Sequence, residues 1–181
     1  NAVGIYVNKS GVVSRVADPT VNVPNTGSRF VQFYDQRVTN GVVTFAASGQ
    51  NNTGGIYRWN DGTITTYLDT SLRMPDGTNH FTGLGTFSEQ GSDIAFGGAG
   101  ADPLSRGIYA LVNGSVSLIA DVRTRGIGTD RNIEGFSNPA LYNGNIVFLD
   151  NHDYVLYDKS VDGALRRIIG MGDVLGGKRI D

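Results

Sequence analysis

The chain has 181 residues, 26 of them glycine, with no cysteine and a formal net charge of −2. Scattered Lys and Arg residues leave no basic patch to hold a phosphate backbone, which excludes nucleic acid as a partner, and no apolar run approaches the roughly 18 residues that a membrane helix needs. Without cysteine there are no disulfides or thiolate metal sites, and many glycines with few charges suit short strands joined by tight turns.

The predicted elements follow one repeat. Gly4-Ile5-Tyr6 recurs as Gly55-Ile56-Tyr57 and Gly107-Ile108-Tyr109, at spacings of 51 and 52, with a degenerate copy at Val155-Leu156-Tyr157. Three further markers keep the same register: Asp18, Asp69, Asp121 and Asp173; Phe30, Phe81 and Ile133; Phe45, Phe96 and Phe148. A fixed period of this length sets the architecture before local propensity does.

In chain order, residues 2–7 and 12–17 read as the third and fourth strands of a half-unit over 1–18. Three full units follow, about 19–69, 70–121 and 122–173, and then a tail over 174–181. Each unit is expected to open with an F-x-x-F-like strand (30–33, 81–84, 133–136). A β-branched strand ending in Phe comes next (42–45, 94–96, 146–148), then the GIY strand, then a last strand (63–68, 115–120, 164–169). Asn40-Gly41, Asn113-Gly114, Asn143-Gly144, Asp61-Gly62 and Asp162-Gly163 favour two-residue hairpin turns between antiparallel neighbours. No window offers an amphipathic helix, because Gly, Pro or Asn interrupts each one. Four short strands per unit are the count of a propeller blade. The expectation is an all-β β-propeller of about four blades, or a section of a larger one, folding as a single repeat domain, with an open row of the same sheets as the alternative.

The succession G-I-Y, V-A-D, P-x-x-x-x-x-F and N-G-x-V-x-F covers nearly the whole chain and ends in Gly170-Met171-Gly172-Asp173-Val174-Leu175-Gly176-Gly177-Lys178. It resembles a family of tandem-repeat, propeller-like proteins from exported bacterial sequences, and its strand order resembles that of TolB-type propellers. The resemblance implies a secreted or cell-surface location and a propeller fold, and transfers no reaction. The third unit departs from it, with no Pro and with Gly126-Ile127-Gly128-Thr129-Asp130, so a differently shaped loop is expected there.

Two sets of acidic residues are candidate sites. The repeated Asp18, Asp69, Asp121 and Asp173 could ring a hard cation such as Ca²⁺; the simpler reading makes each a cap on the following turn. Asp150, Asp153, Asp158 and Asp162, around Asn151 and His152, form the densest group of metal-ligand types, although the spacing matches neither an EF-hand nor a zinc motif. Here the simpler reading is a solvated loop at 150–153 and a wide hairpin at 158–163. His80 and His152 fall in different units and no Gly-x-Ser-x-Gly elbow occurs, so a catalytic set is not legible. Tyr6, Tyr57, Tyr109 and Tyr157 read as core. No cofactor is required, with Ca²⁺ as the one candidate.

The function expected is a non-enzymatic extracellular binding or assembly module. Alternatives are a hydrolase or lyase acting over the propeller axis, and a Ca²⁺-stabilised surface protein. The register also places the first two strands of the closing blade outside the chain. Ala2, Val3, Gly4, Ile5, Tyr6 and Val7 would then present an unpaired edge. It would be met by the tail 174–181 folding back in a closed ring, by self-association or a further chain completing the blade, or by strands of a longer propeller of which this is a section. Pairing with another chain or with missing sequence is the favoured expectation.

Overall fold

The computed structural model describes residues 3–77 and 79–180. Its strands are set by tight turns. Asn40, Asp61, Asn113 and Asn143 take φ values of 51°, 42°, 51° and 48°, and the glycine after each lies between 75° and 94°. Two left-handed residues in succession make the type I′ turn, whose twist matches that of the flanking strands. Ser10 and Gly11, at 51° and 88°, build the same turn without the Asn or Asp signal.

β1 (Ile5–Lys9) and β2 (Val12–Ala17) pair as a two-stranded sheet. Three sheets of four follow, each in sequence order. The first holds β3 (Phe30–Thr39), β4 (Val42–Gly49), β5 (Gly54–Asn60) and β6 (Thr63–Asp69). The second holds β7 (Phe81–Gln90), β8 (Asp93–Gly100), β9 (Gly107–Val112) and β10 (Ser115–Asp121). The third holds β11 (Ala140–Tyr142), β12 (Asn145–Asp150), β13 (Val155–Ser160) and β14 (Arg166–Ile169). The tail pairs with itself as β15 (Val174–Leu175) and β16 (Lys178–Arg179). The helical segments among the described residues are single 3₁₀ turns at Gln50–Asn52 and Pro103–Ser105. The protein is thus all-β, built of blade-like antiparallel sheets.

Two compact units divide the chain. One is Asn1–Leu72 with His80–Gly85, the other Arg73–Asn79 with Thr86–Asp181. The core of the first gathers Ile5, Val16, Val23, Phe30, Phe45, Tyr57 and Trp59. Phe30 meets Tyr57 edge-on at 5.0 Å and Phe45 at 5.7 Å, a geometry that aromatic quadrupoles favour. The core of the second gathers Ile108, Ile119, Ile133, Ile146, Phe148 and Tyr157.

The glycine of the GIY marker has a packing cause. A Cβ on Gly55 would lie 2.6 Å from the Leu68 carbonyl oxygen, and one on Gly107 would run into that of Ala120. The last strand of each sheet carries a bulge here, which brings its backbone up against the third strand. In the third sheet the glycine changes sides. Val155 takes the marker position, and Gly170 faces it, so close that a Cβ there would stand 2.9 Å from Val155 Cγ2.

Several local expectations are corrected. Residues 133–136 are no strand, although Ile133 enters as Phe30 and Phe81 do, donating its amide back across the preceding turn to Thr124 O. Pairing with β12 begins here as one isolated bridge, Phe136 opposite Asp150, with Ser137 N donating to Leu149 O and Asn151 N to Gly135 O. Gly135 N turns to the Asp150 carboxylate and Pro139 has no amide to give, so a continuous ladder starts only at β11. Asp158 lies inside β13 rather than in a hairpin, held by its register with Val147. Neither Asp162 nor Gly163 takes a positive φ, so that turn is not of the I′ kind. Tyr57, Tyr109 and Tyr157 are core as expected, at 1%, 2% and 0% exposure, but Tyr6 is 50% exposed, since among the described residues β1 pairs with β2 alone.

Candidate functional site

The marker aspartates act locally. Asp18 accepts from Thr20 N at 2.8 Å and Thr20 Oγ1 at 2.6 Å, and Asp69 from Ser71 N at 2.9 Å and from Ser71 Oγ. Asp121 accepts from Arg123 N at 3.0 Å and Arg123 Nε at 2.9 Å. These are Asx-type caps, each fixing the turn after its strand. Asp173 instead reaches back, accepting from Gly170 N at 2.8 Å and Arg167 Nη2 at 2.9 Å. The Thr20 hydroxyl and amide hold the Asp18 carboxyl below the usual range, and the Arg167 guanidinium does so for Asp173.

Asp150, Asp153, Asp158 and Asp162 divide among four tasks. Asp150 is not in a solvated loop: it is buried at the end of β12, where it accepts from Gly135 N at 3.1 Å and His152 N at 3.0 Å. Asp158 is paired with Arg166, and Asp162 is an exposed turn residue. Asp153 stands apart from both, and Arg131 grips it through Nε at 3.2 Å and Nη2 at 2.5 Å. Its other neighbour is His152, with Nδ1 3.2 Å away, while His152 Nε2 lies 3.7 Å from Glu134 Oε2. Burial works to raise the Asp153 carboxyl, but hydrogen bonds from His152 and Arg131 outweigh it and hold the group low. Among the described residues no three His, Asp or Glu side chains converge in the manner of metal ligands.

Asp153 belongs to the wall of a cleft of about 510 Å³ lined by Gly128, Thr129, Asp130, Arg131, Asp153, Val155, Arg167 and Met171. The cleft is a wide, shallow opening rather than an enclosed pocket. The long connection before β11 supplies one wall, the β12–β13 turn another, and β14 with the residue following Gly170 the third. Gly128, at φ +77°, lets the connection lie against Arg167: a Cβ there would sit 3.3 Å from Arg167 Cδ. Arg167 spends both terminal nitrogens on Asp173, and its Nε is buried without a partner. Two carboxylates and two guanidinium groups thus line one opening, with Val155 and Met171 as its apolar part.

The preceding blade repeats the arrangement. A cleft of about 150 Å³ is lined by Met74, Pro75, Asp76, Asn79, Ala101, Asp102, Ser105, Tyr109, Leu118 and Arg123. The same three parts contribute: the long connection, the turn between second and third strands, and the last strand with its cap. Asp76 accepts from Asn79 Nδ2 at 2.8 Å, Arg123 Nη2 reaches Asp121 at 2.7 Å, and the Tyr109 hydroxyl donates to the Ser105 carbonyl. Burial pushes the Tyr109 phenol up to about 12, with Asp121 adding to the effect. Arg131, Arg167 and Asp130 were not legible as site residues. The one signal in the sequence was the departure of residues 126–130 from the repeat pattern.

No family model matches the chain, and no curated protein does. Among solved structures it is similar to a Penicillium chrysogenum α-L-arabinanase complexed with arabinobiose, a five-bladed β-propeller, at a TM-score of 0.51 and 10% identity. The match covers 90% of this chain and 53% of that one, so the chain spans about half the length of the enzyme. At this identity the likeness defines the fold, the β-propeller, and nothing finer.

Proposed function

We propose that the chain is a non-catalytic, ligand-binding section of a β-propeller exposed outside the cell, and that its ligand is neutral and rich in hydroxyls, a short oligosaccharide. One observation carries this reading: a mixed cleft of carboxylates, guanidinium and apolar side chains recurs at the same place on consecutive blades. Carboxylates accept from hydroxyls and guanidinium donates to ring and hydroxyl oxygens. Ion pairs such as Arg131–Asp153 and Arg167–Asp173 already hold those groups in place, so binding orders little. With two acids opposing two bases at the larger cleft, a charged ligand would meet its own sign as often as the opposite one. Val155 and Met171 suit the C–H face of a sugar ring. Export is supported by the likeness of the repeat to exported sequences.

Titration calorimetry with arabinobiose, a second neutral disaccharide and a uronic disaccharide tests it. A saturating heat with a neutral sugar, lost in Arg167→Ala and without new reducing ends, is expected; binding of the uronate alone would refute it. Cleavage of a glycosidic bond is the second reading, and the solved-structure likeness favours it, because that neighbour is an arabinanase. Such chemistry needs a proton donor and a second carboxylate across the sugar, and Glu134, His152 and Asp153 gather beside the cleft. Reducing ends released in proportion to protein, and abolished in Asp153→Asn, would establish it over the first.

A further inference from the structure

Nine of the described non-glycine residues hold a left-handed backbone, and seven of them are Asn or Asp, whose short polar side chains tolerate it. Ser10 is small. The ninth is Tyr154, at φ 53°, the one bulky side chain of the set. A bulky residue at positive φ costs backbone energy and persists only where its surroundings over-determine the conformation. The β12–β13 turn meets that condition. Arg131 clamps Asp153 on one side of Tyr154, and on the other Val155 is buried opposite Asp150 at the start of β13. The β4–β5 turn, by contrast, fills its left-handed positions with Asn51 and Asn52, at 59° and 58°. Packing does not explain the tyrosine: it is 59% exposed and makes no hydrogen bond or ring contact among the described residues. Both of its chain neighbours, Asp153 and Val155, line the cleft of the third sheet, so Tyr154 stands at the rim of that cleft, outside the lining itself.

We propose that Tyr154 is a stacking platform for the third ring of a neutral oligosaccharide whose first two rings occupy the cleft, so that the preferred ligand is a chain of three or more sugars. This rests on the oligosaccharide reading of the cleft and extends it. The opening is wide and shallow, so a sugar chain can leave it across the rim. There the phenol ring offers a rigid apolar face to the C–H face of a sugar, adding contact area while only two side-chain torsions need ordering. The strained backbone holds that ring at the rim, where an Asn would fit the turn better and bind nothing apolar.

Calorimetric titration of the intact protein with arabinobiose and arabinotriose, probes of two and three neutral rings, tests it alongside the variants Tyr154→Asn and Tyr154→Phe. The parent should bind the trisaccharide about tenfold more tightly than the disaccharide. Tyr154→Phe should keep that ratio, and Tyr154→Asn should bring it to about one while binding the disaccharide as the parent does. Because Asn tolerates the left-handed backbone, Tyr154→Asn should also melt about 2–4 °C above the parent. Disaccharide binding without a trisaccharide advantage, or an advantage that survives in Tyr154→Asn, overturns the platform and leaves the cleft reading standing. A lower melting temperature for Tyr154→Asn overturns it too, because the ring would then be a packing contact of the fold. Failure of the parent to bind either sugar removes the cleft reading and the platform with it.

Discussion

Arg131 and Asp153, 22 residues apart in sequence, meet through two hydrogen bonds, from Nε at 3.2 Å and from Nη2 at 2.5 Å. The pair ties the long connection before β11 to the β12–β13 turn, and so holds open the larger cleft. Asp153→Asn should leave the sheets folded but loosen this wall. The amide protons of residues 128–131 should then exchange faster with deuterium, while those of β12 and β13 stay protected.

Acid should destabilise the protein in a defined direction. The carboxyls of Asp18, Asp153 and Asp173 are all held below their ordinary 3.8. A depressed folded-state value means that the contribution is complete above the unfolded value and is lost as pH falls through the folded one. Tm should therefore hold steady down to about pH 4–5 and drop below it. The drop should be shallower for Asp153→Asn, which differential scanning calorimetry across that range can check.

The marker aspartates should behave as caps. Asp121 is 3% exposed and accepts from the Arg123 and Thr124 groups that form its turn. Asp121→Ala strands those donors and should cost about 2 kcal/mol in urea denaturation, whereas Asp121→Asn, which keeps an acceptor, should lose less than half of that.

Two tyrosines in equivalent places should respond oppositely to loss of the hydroxyl. Tyr109 donates to the Ser105 carbonyl, whereas the Tyr157 hydroxyl is buried without a hydrogen bond of good geometry, with the Ile127 backbone beside it. Tyr109→Phe should cost about 1 kcal/mol, and Tyr157→Phe should be neutral or stabilising. Equal losses in chemical denaturation would count against this difference.

The fold was legible because the repeat reports itself. Four markers in one register located the second, third and fourth strands of each unit, and the reason for the glycine marker is steric at Gly55 and Gly107. Legibility ended where a side chain replaced a backbone partner. At Gly135 the amide goes to the Asp150 carboxylate instead of a ladder, which no local pattern announces. The candidate site was half visible for a related reason. Asp153 was conspicuous within an acidic cluster, but the arginines that give it meaning come from residues 131 and 167, and a single sequence holds no signal that folds them together. Tyr6 differs from its three counterparts because their burial depends on a second strand, and among the described residues β1 pairs with β2 alone.

The ligand proposed for the cleft of the third sheet is neutral and rich in hydroxyls. The most direct measurement is a ¹⁵N-resolved titration with arabinobiose, following the backbone amides. Saturable shifts confined to Gly128, Thr129, Asp130, Arg131, Asp153 and Met171, with Arg167→Ala abolishing them, are the predicted result. Shifts elsewhere in the chain, or none at millimolar sugar with neutral disaccharides while a uronic disaccharide moves the same amides, would contradict it.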